Sequence, residues 1–168
     1  MKVLSILLQY PEEDWIHRVE ELREALEGIS QPEPRERCSV FLNYVAATPL
    51  IRLQENYTAT FDLNPDTCLN LTYHRWGEAG ERGSALVDFH QLYNNADYEC
   101  ATGELPDYLP MILEFFAING QEKEFSLLKQ YADEVEVIGS RLRAAGSPYL
   151  GLVEIVVDIC KEPQSSGV

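Results

Sequence analysis

The chain has 168 residues, with 28 Asp and Glu against 13 Lys and Arg and a formal net charge of −15. A chain of this length buries about 70% of its unfolded surface and needs only one core, and its apolar runs fall short of the roughly 20 residues that a membrane span requires. The negative charge works against nucleic-acid phosphates and anionic lipid headgroups, favours cationic ligands and also serves plain solubility.

The opening "MKVLSILLQYP" holds one lysine and a short apolar stretch with no small-residue cleavage site behind it, so it reads as mature protein and not as a signal peptide. Trp15, Val19, Leu22, Leu26 and Ile29 then recur at helical intervals, with Glu12, Glu13, Glu20, Glu24 and Glu27 mostly on the other face and Gly28 as a stop signal. "SQPEPRE" is a proline-rich connector. A helix carrying Cys38, Phe41, Leu42 and Val45 ends near Thr48-Pro49, and Leu50, Leu53, Tyr57 and Phe61 mark another. In "DLNPDT", Asn64 suits an N-cap, Pro65 the first helical position and Asp66 the positive dipole end, which predicts a helix from there to about Trp76.

"GEAGERG" breaks that helix, and Leu86, Phe89, Tyr93 and Ala96 mark the next. "GELPDYLPMILEFF", residues 103 to 116, opens a helix with Leu109, Ile112, Leu113 and Phe116 inward, ending at Asn119-Gly120. A long helix holds Phe125, Leu128, Ala132, Val135, Ile138 and Leu142, up to Gly146; a last one holds Tyr149, Leu152, Val153, Val156 and Ile159. There is no alternating strand pattern and no repeat period. The expectation is an all-α, single-domain bundle of about eight helices over residues 1–162, with a loose tail from 163 to 168.

Few residues offer chemistry. Cys38, Cys68, Cys100 and Cys160 are scattered without a C-x-x-C pair, which fits free thiols in a reducing cytoplasm. Cys68 and His74, six apart, should not share a helical face, so no metal pair is expected. Gly77, Gly80 and Gly83 lack a preceding strand and the G-x-G spacing, and Glu78 and Glu81 would repel phosphate. No G-x-S-x-G setting is present. Glu104 and Asp107 have the chemistry for acid–base work, alone or with a metal, but acidic proteins abound in such pairs. Nothing in the chain reads as an active site.

Charge distribution is more informative. Between Arg82 and Lys123 there is no Lys or Arg, yet Asp88, Asp97, Glu99, Glu104, Asp107, Glu114 and Glu122 all lie there. Within that stretch Pro106 suits a first helical position, beside Asp107 at the dipole end. Pro110 has no N–H for the Pro106 carbonyl and crowds it. One outcome is an irregular turn that opens that carbonyl to water or a partner and displays Asp107 and Tyr108 at a rigid bend. The other is an ordinary helix start with Leu105 and Tyr108 packed inward.

Residues 57 to 86, "YTATFDLNPDTCLNLTYHRWGEAGERGSAL", and 104 to 115, "ELPDYLPMILEF", carry Y-x-x-T-F-D, L-T-Y-x-x-x-G, R-G-x-A-L and L-P-D-Y-L-P in order. With "LLQYPEEDW" before them, they resemble the NarJ branch of the TorD/DmsD/NarJ chaperone family over most of the chain. The resemblance implies an all-helical cytoplasmic protein without catalysis or a stably bound cofactor. It would bind the catalytic subunit of a molybdoenzyme, typically respiratory nitrate reductase, through an N-terminal twin-arginine signal or its remnant. The apo-subunit would thereby be held for insertion of its molybdenum (molybdopterin guanine dinucleotide) cofactor. The alternative partner role is a helical adaptor retained in the mature redox complex.

Family role and charge together predict a helix-in-groove site for a cationic amphipathic peptide. Glu104 and Asp107 are the expected guanidinium partners, Tyr57, Asp62 and Tyr108 groove-lining groups, Pro106 and Pro110 the stiff corner, and Arg82 a residue fixing the bordering loop.

Overall fold

Apolar residues three and four apart close into helix along most of the chain. The computed structural model describes residues 1–99, 103–119 and 122–162, with residues 122–124 by their backbone alone. Among the described residues there are eleven α-helices and no strand beyond an isolated bridge. They are α1 (Lys2–Leu7), α2 (Glu13–Ile16), α3 (Val19–Glu27), α4 (Pro32–Ala47), α5 (Leu50–Tyr57), α6 (Leu71–Trp76), α7 (Glu81–Asn95), α8 (Leu109–Asn119), α9 (Glu122–Lys129), α10 (Ala132–Ala144) and α11 (Leu150–Lys161). The expected tail, 163–168, and Cys100 lie outside the described residues.

The all-α expectation holds, but several boundaries differ from it. The short apolar start forms α1, which buries Leu4 and Leu7 against α8. Pro32 of the expected connector is instead the first residue of α4, where a missing N–H costs nothing. Asn64 does accept from the Asp66 N–H (3.1 Å), yet it closes a turn over 64–67, and α6 begins only at Leu71. The long helix expected from Phe125 to Gly146 is broken at Gln130-Tyr131. There Arg75 donates to the Gln130 carbonyl and its guanidinium carbon lies 4.4 Å from the buried Tyr131 ring centroid. An anchored carbonyl and a buried ring hold the kink in place.

α5 runs directly into a π turn, Thr58–Asp62, in which the Leu63 N–H reaches the Thr58 carbonyl at 2.9 Å. This extra residue carries the Tyr57 and Phe61 rings into a buried aromatic cluster with Phe41 and Tyr149. Phe41 and Phe61 lie 4.9 and 4.8 Å from the Tyr149 ring centroid. α8 is the most buried helix, with Leu109, Met111, Ile112, Leu113, Phe115 and Phe116 all inside. α10 packs on α11, α11 on α4 and α4 on α3, while α1 and α8 pack together on the side where the candidate site opens.

Candidate functional site

The segment preceding α8 meets the chain before α6 edge to edge. Asn70 and Tyr108 form an antiparallel bridge: the Leu109 N–H donates to the Leu69 carbonyl (2.8 Å) and the Leu71 N–H to the Asp107 carbonyl (3.2 Å). Helix α8 starts after this bridge, with the Tyr108 carbonyl accepting from the Ile112 N–H (3.1 Å). Pro110 therefore falls in the first turn, where no backbone donor is required, and Pro106 lies before the helix in a turn. The Pro106 carbonyl is not open to a partner. It accepts a buried hydrogen bond from the Tyr93 hydroxyl at 2.7 Å. Tyr93→Phe should leave that carbonyl unbonded and lower stability by about 1–2 kcal/mol, read as a lower urea midpoint at unchanged slope.

Asp107 also departs from expectation. It is fully buried, at 0% exposure, and is not displayed at the surface. Its Oδ1 accepts from Asn70 Nδ2 (3.0 Å), and its Oδ2 from the Thr72 N–H (3.0 Å) and Thr72 Oγ1 (2.5 Å). The carboxylate thus caps the first turn of α6 from another segment. Arg82 stands behind it, with Nη2 at 3.9 Å from Oδ2 and Nε donating to Thr72 Oγ1 at 3.0 Å. A carboxylate so enclosed cannot meet a peptide guanidinium. With Arg82, it holds the corner from beneath.

Tyr108 is half-buried. Its hydroxyl lies 2.7 Å from that of Tyr57, which donates to the Leu8 carbonyl at 3.0 Å, so Tyr108 donates to Tyr57. Burial above all pushes the ionisation of both far above the ordinary tyrosine range; the Tyr108 phenol and Asp62 add to it at Tyr57, while at Tyr108 the hydrogen bond to Tyr57 works against burial and Glu104 and Asp62 work with it. Both stay neutral, and the pair ties α5, α1 and the corner into one floor.

Above that floor run two adjoining cavities of about 640 and 480 Å³ that share Tyr10, Glu104 and Tyr108. The larger is walled by Tyr10, Trp15, Tyr98, Tyr108 and Met111 and carries Glu12, Glu99, Glu104 and Glu114. The smaller is lined by Tyr57, Phe61 and Leu69, with Asp62 and Glu104. Among the described residues, five carboxylates and no Lys, Arg or His line the pair. Trp15 is oriented by donating Nε1–H to the Tyr10 carbonyl (3.0 Å), and the Tyr10 ring meets Tyr57 edge-on at 5.5 Å. An aromatic groove edged by acids, of which only Glu114 is ion-paired among the described residues, suits a cation carried on an apolar stem.

Among known proteins, the sequence profile described as the nitrate reductase delta subunit matches residues 17–153. The chain belongs to this family. Bacillus subtilis (strain 168) has a relative, a probable nitrate reductase molybdenum cofactor assembly chaperone NarJ, 32% identical over 154 residues, covering 92% of this chain and 84% of that protein. The Escherichia coli (strain K12) nitrate reductase molybdenum cofactor assembly chaperone NarJ is 30% identical over 161 residues, 94% of this chain and 67% of that one. A probable chaperone of the same description from that strain, NarW, is 28% identical over 167 residues, 99% of this chain and 70% of its own length.

In this member of the family the fold gathers Glu104, Tyr108, Tyr57 and Asp62 on the groove, while Asp107, Arg82, Pro106 and Pro110 line neither lobe. Residues outside the expected site complete the larger lobe: Gln9, Tyr10, Glu12, Trp15, Tyr98, Glu99, Met111 and Glu114; Phe61, Cys68, Leu69 and Asn70 do so in the smaller. Two signals for them existed. "QYPEEDW" interleaves aromatics with acids, and Glu99 and Glu114 belong to the stretch without basic residues. Cys68 and His74, which spacing kept apart, do meet: the chain between them is not one helix, and Sγ lies 3.6 Å from Nε2. No group of three or more metal-type ligands exists among the described residues.

Proposed function

We propose that this protein is an assembly chaperone for a nitrate-reductase-type molybdoenzyme, holding the catalytic subunit by its N-terminal segment until the molybdenum cofactor is inserted. The observation that carries the reading is the two-lobed groove, with aromatic walls and five carboxylates, four of which make no ion pair among the described residues. A twin-arginine segment or its remnant, folded as an amphipathic helix, offers the complementary surface: apolar side chains for the walls and guanidiniums for Glu12, Asp62, Glu99 and Glu104. The relatives named as molybdenum cofactor assembly chaperones support the same role. The reading requires no catalysis and no resident cofactor, and it places the action in the cytoplasm before membrane assembly. No described helix is long and apolar enough to cross a membrane.

Release must follow capture, so affinity should be modest, on the order of micromolar or about −8 kcal/mol. Rim charges act mainly on association rate, whereas apolar anchors set residence time. Titration with the N-terminal peptide of the catalytic subunit from the same organism should show binding that weakens several-fold between about 0.05 and 0.5 M salt but persists. No binding, or binding indifferent to salt, would reject this reading.

A further inference from the structure

Four of the five groove carboxylates, Glu12, Asp62, Glu99 and Glu104, make no ion pair among the described residues. The fifth, Glu114 on α8, is engaged by the Lys2 ammonium. We infer that Glu114 is a further cation subsite of the groove, which the chain's own Lys2 fills until a guanidinium of the bound peptide takes its place. This rests on the groove being a cationic-peptide site.

The local geometry supports such an exchange. The backbone at Lys2 is fixed, because Leu4 and Leu7 bury α1 against α8 and the Ser5 hydroxyl donates to the Lys2 carbonyl (2.8 Å). Its side chain is not fixed: it is 53% exposed and lines neither lobe, so the stem can swing into solvent without disturbing the core. Glu114, 28% exposed, lines the larger lobe with Trp15, Tyr98 and Met111. An ammonium meets a carboxylate as a point charge. A guanidinium offers two parallel N–H donors and stacks on aromatic faces, so it competes well for this acid. Lys2 therefore lowers affinity for every cationic ligand and favours arginine over lysine among those that bind.

The test is a double-mutant cycle with a synthetic amphipathic helix of about fifteen residues, bearing arginines on one face and leucines on the other. At low salt, Lys2→Met should bind this probe about two- to fivefold tighter than wild type, a gain in keeping with the strength of a surface ion pair. In the Glu114→Gln background, the same substitution should bring no gain. Lys161→Met removes an equal charge from a pair with Glu136 that lines neither lobe, and should give a smaller gain than Lys2→Met. Overturning results are unchanged or weaker binding by Lys2→Met, a gain that survives Glu114→Gln, or one matched by Lys161→Met. If wild type binds neither this probe nor the native peptide, the groove reading falls and this inference with it; binding by wild type with an unaltered ratio removes the inference alone.

Discussion

Asp107→Ala is expected to cost about 3–5 kcal/mol of folding stability, the largest single effect outside the apolar core. The carboxylate is wholly enclosed and accepts from the Asn70 amide, the Thr72 N–H and the Thr72 hydroxyl, with Arg82 completing the set. Truncation strips three donors of their acceptor at once and leaves a largely buried guanidinium with only the exposed Glu78 carboxylate, at 4.0 Å, as counter-charge. Asp107→Asn should be damaging too, because in either orientation its amide faces one of these donors with another donor. Urea denaturation monitored by far-ultraviolet circular dichroism reads both. Peptide affinity of the protein that remains folded should stay within about twofold of wild type, since Asp107 lines neither lobe. A normal midpoint combined with lost binding would return Asp107 to the groove surface.

Glu104→Lys should do the reverse. Glu104 is exposed and shared by the two lobes, so folding should be untouched while the centre of the groove changes sign. Replacing attraction by repulsion there is expected to weaken peptide binding about 30- to 100-fold at low salt, or about 2–3 kcal/mol. Part of the loss should return as salt screens the repulsion. Asp88→Lys makes the same charge change at an exposed site on α7 that lines neither lobe, and should weaken binding less than about threefold. Fluorescence anisotropy with labelled peptide measures both. Equal losses would mean that the overall field of an acidic protein, and not this groove, attracts the ligand.

Helix identity was legible wherever apolar periodicity was long. α4, α7, α8 and α11 appear where the three- and four-residue spacing of their core residues lies. Short-range signals were less faithful, because tertiary contacts overrode them. Asn64-Pro65-Asp66 carries good helix-start chemistry yet closes a turn, which Arg141 clips to α10 through the Asp66 carbonyl at 2.6 Å. The kink at Gln130-Tyr131 depends on Arg75, 55 residues away from Gln130, and no local pattern announces it.

The site divided in the same way. Its acidic character was readable from the stretch without Lys or Arg, and Glu104 and Asp62 do line the groove. Which acid faces out was not readable, because Glu104 and Asp107 share one short motif. Their separate fates are decided by Thr72 and Arg82, contributed from elsewhere. The Tyr10–Trp15 wall was hidden for a related reason: only the packing of α1 on α8 brings it opposite Tyr98 and Glu114.

The two walls of the larger lobe come from opposite ends of a long stretch of chain, Gln9 to Trp15 on one side and Tyr98, Glu99, Glu104, Tyr108, Met111 and Glu114 on the other. During synthesis the first wall leaves the ribosome early and waits, because nothing faces it until α8 has emerged and docked. A half-made copy therefore has only one wall of the larger lobe. On the proposed role, a cationic segment would find both walls only after α8, which ends at Asn119 of 168 residues, has been made.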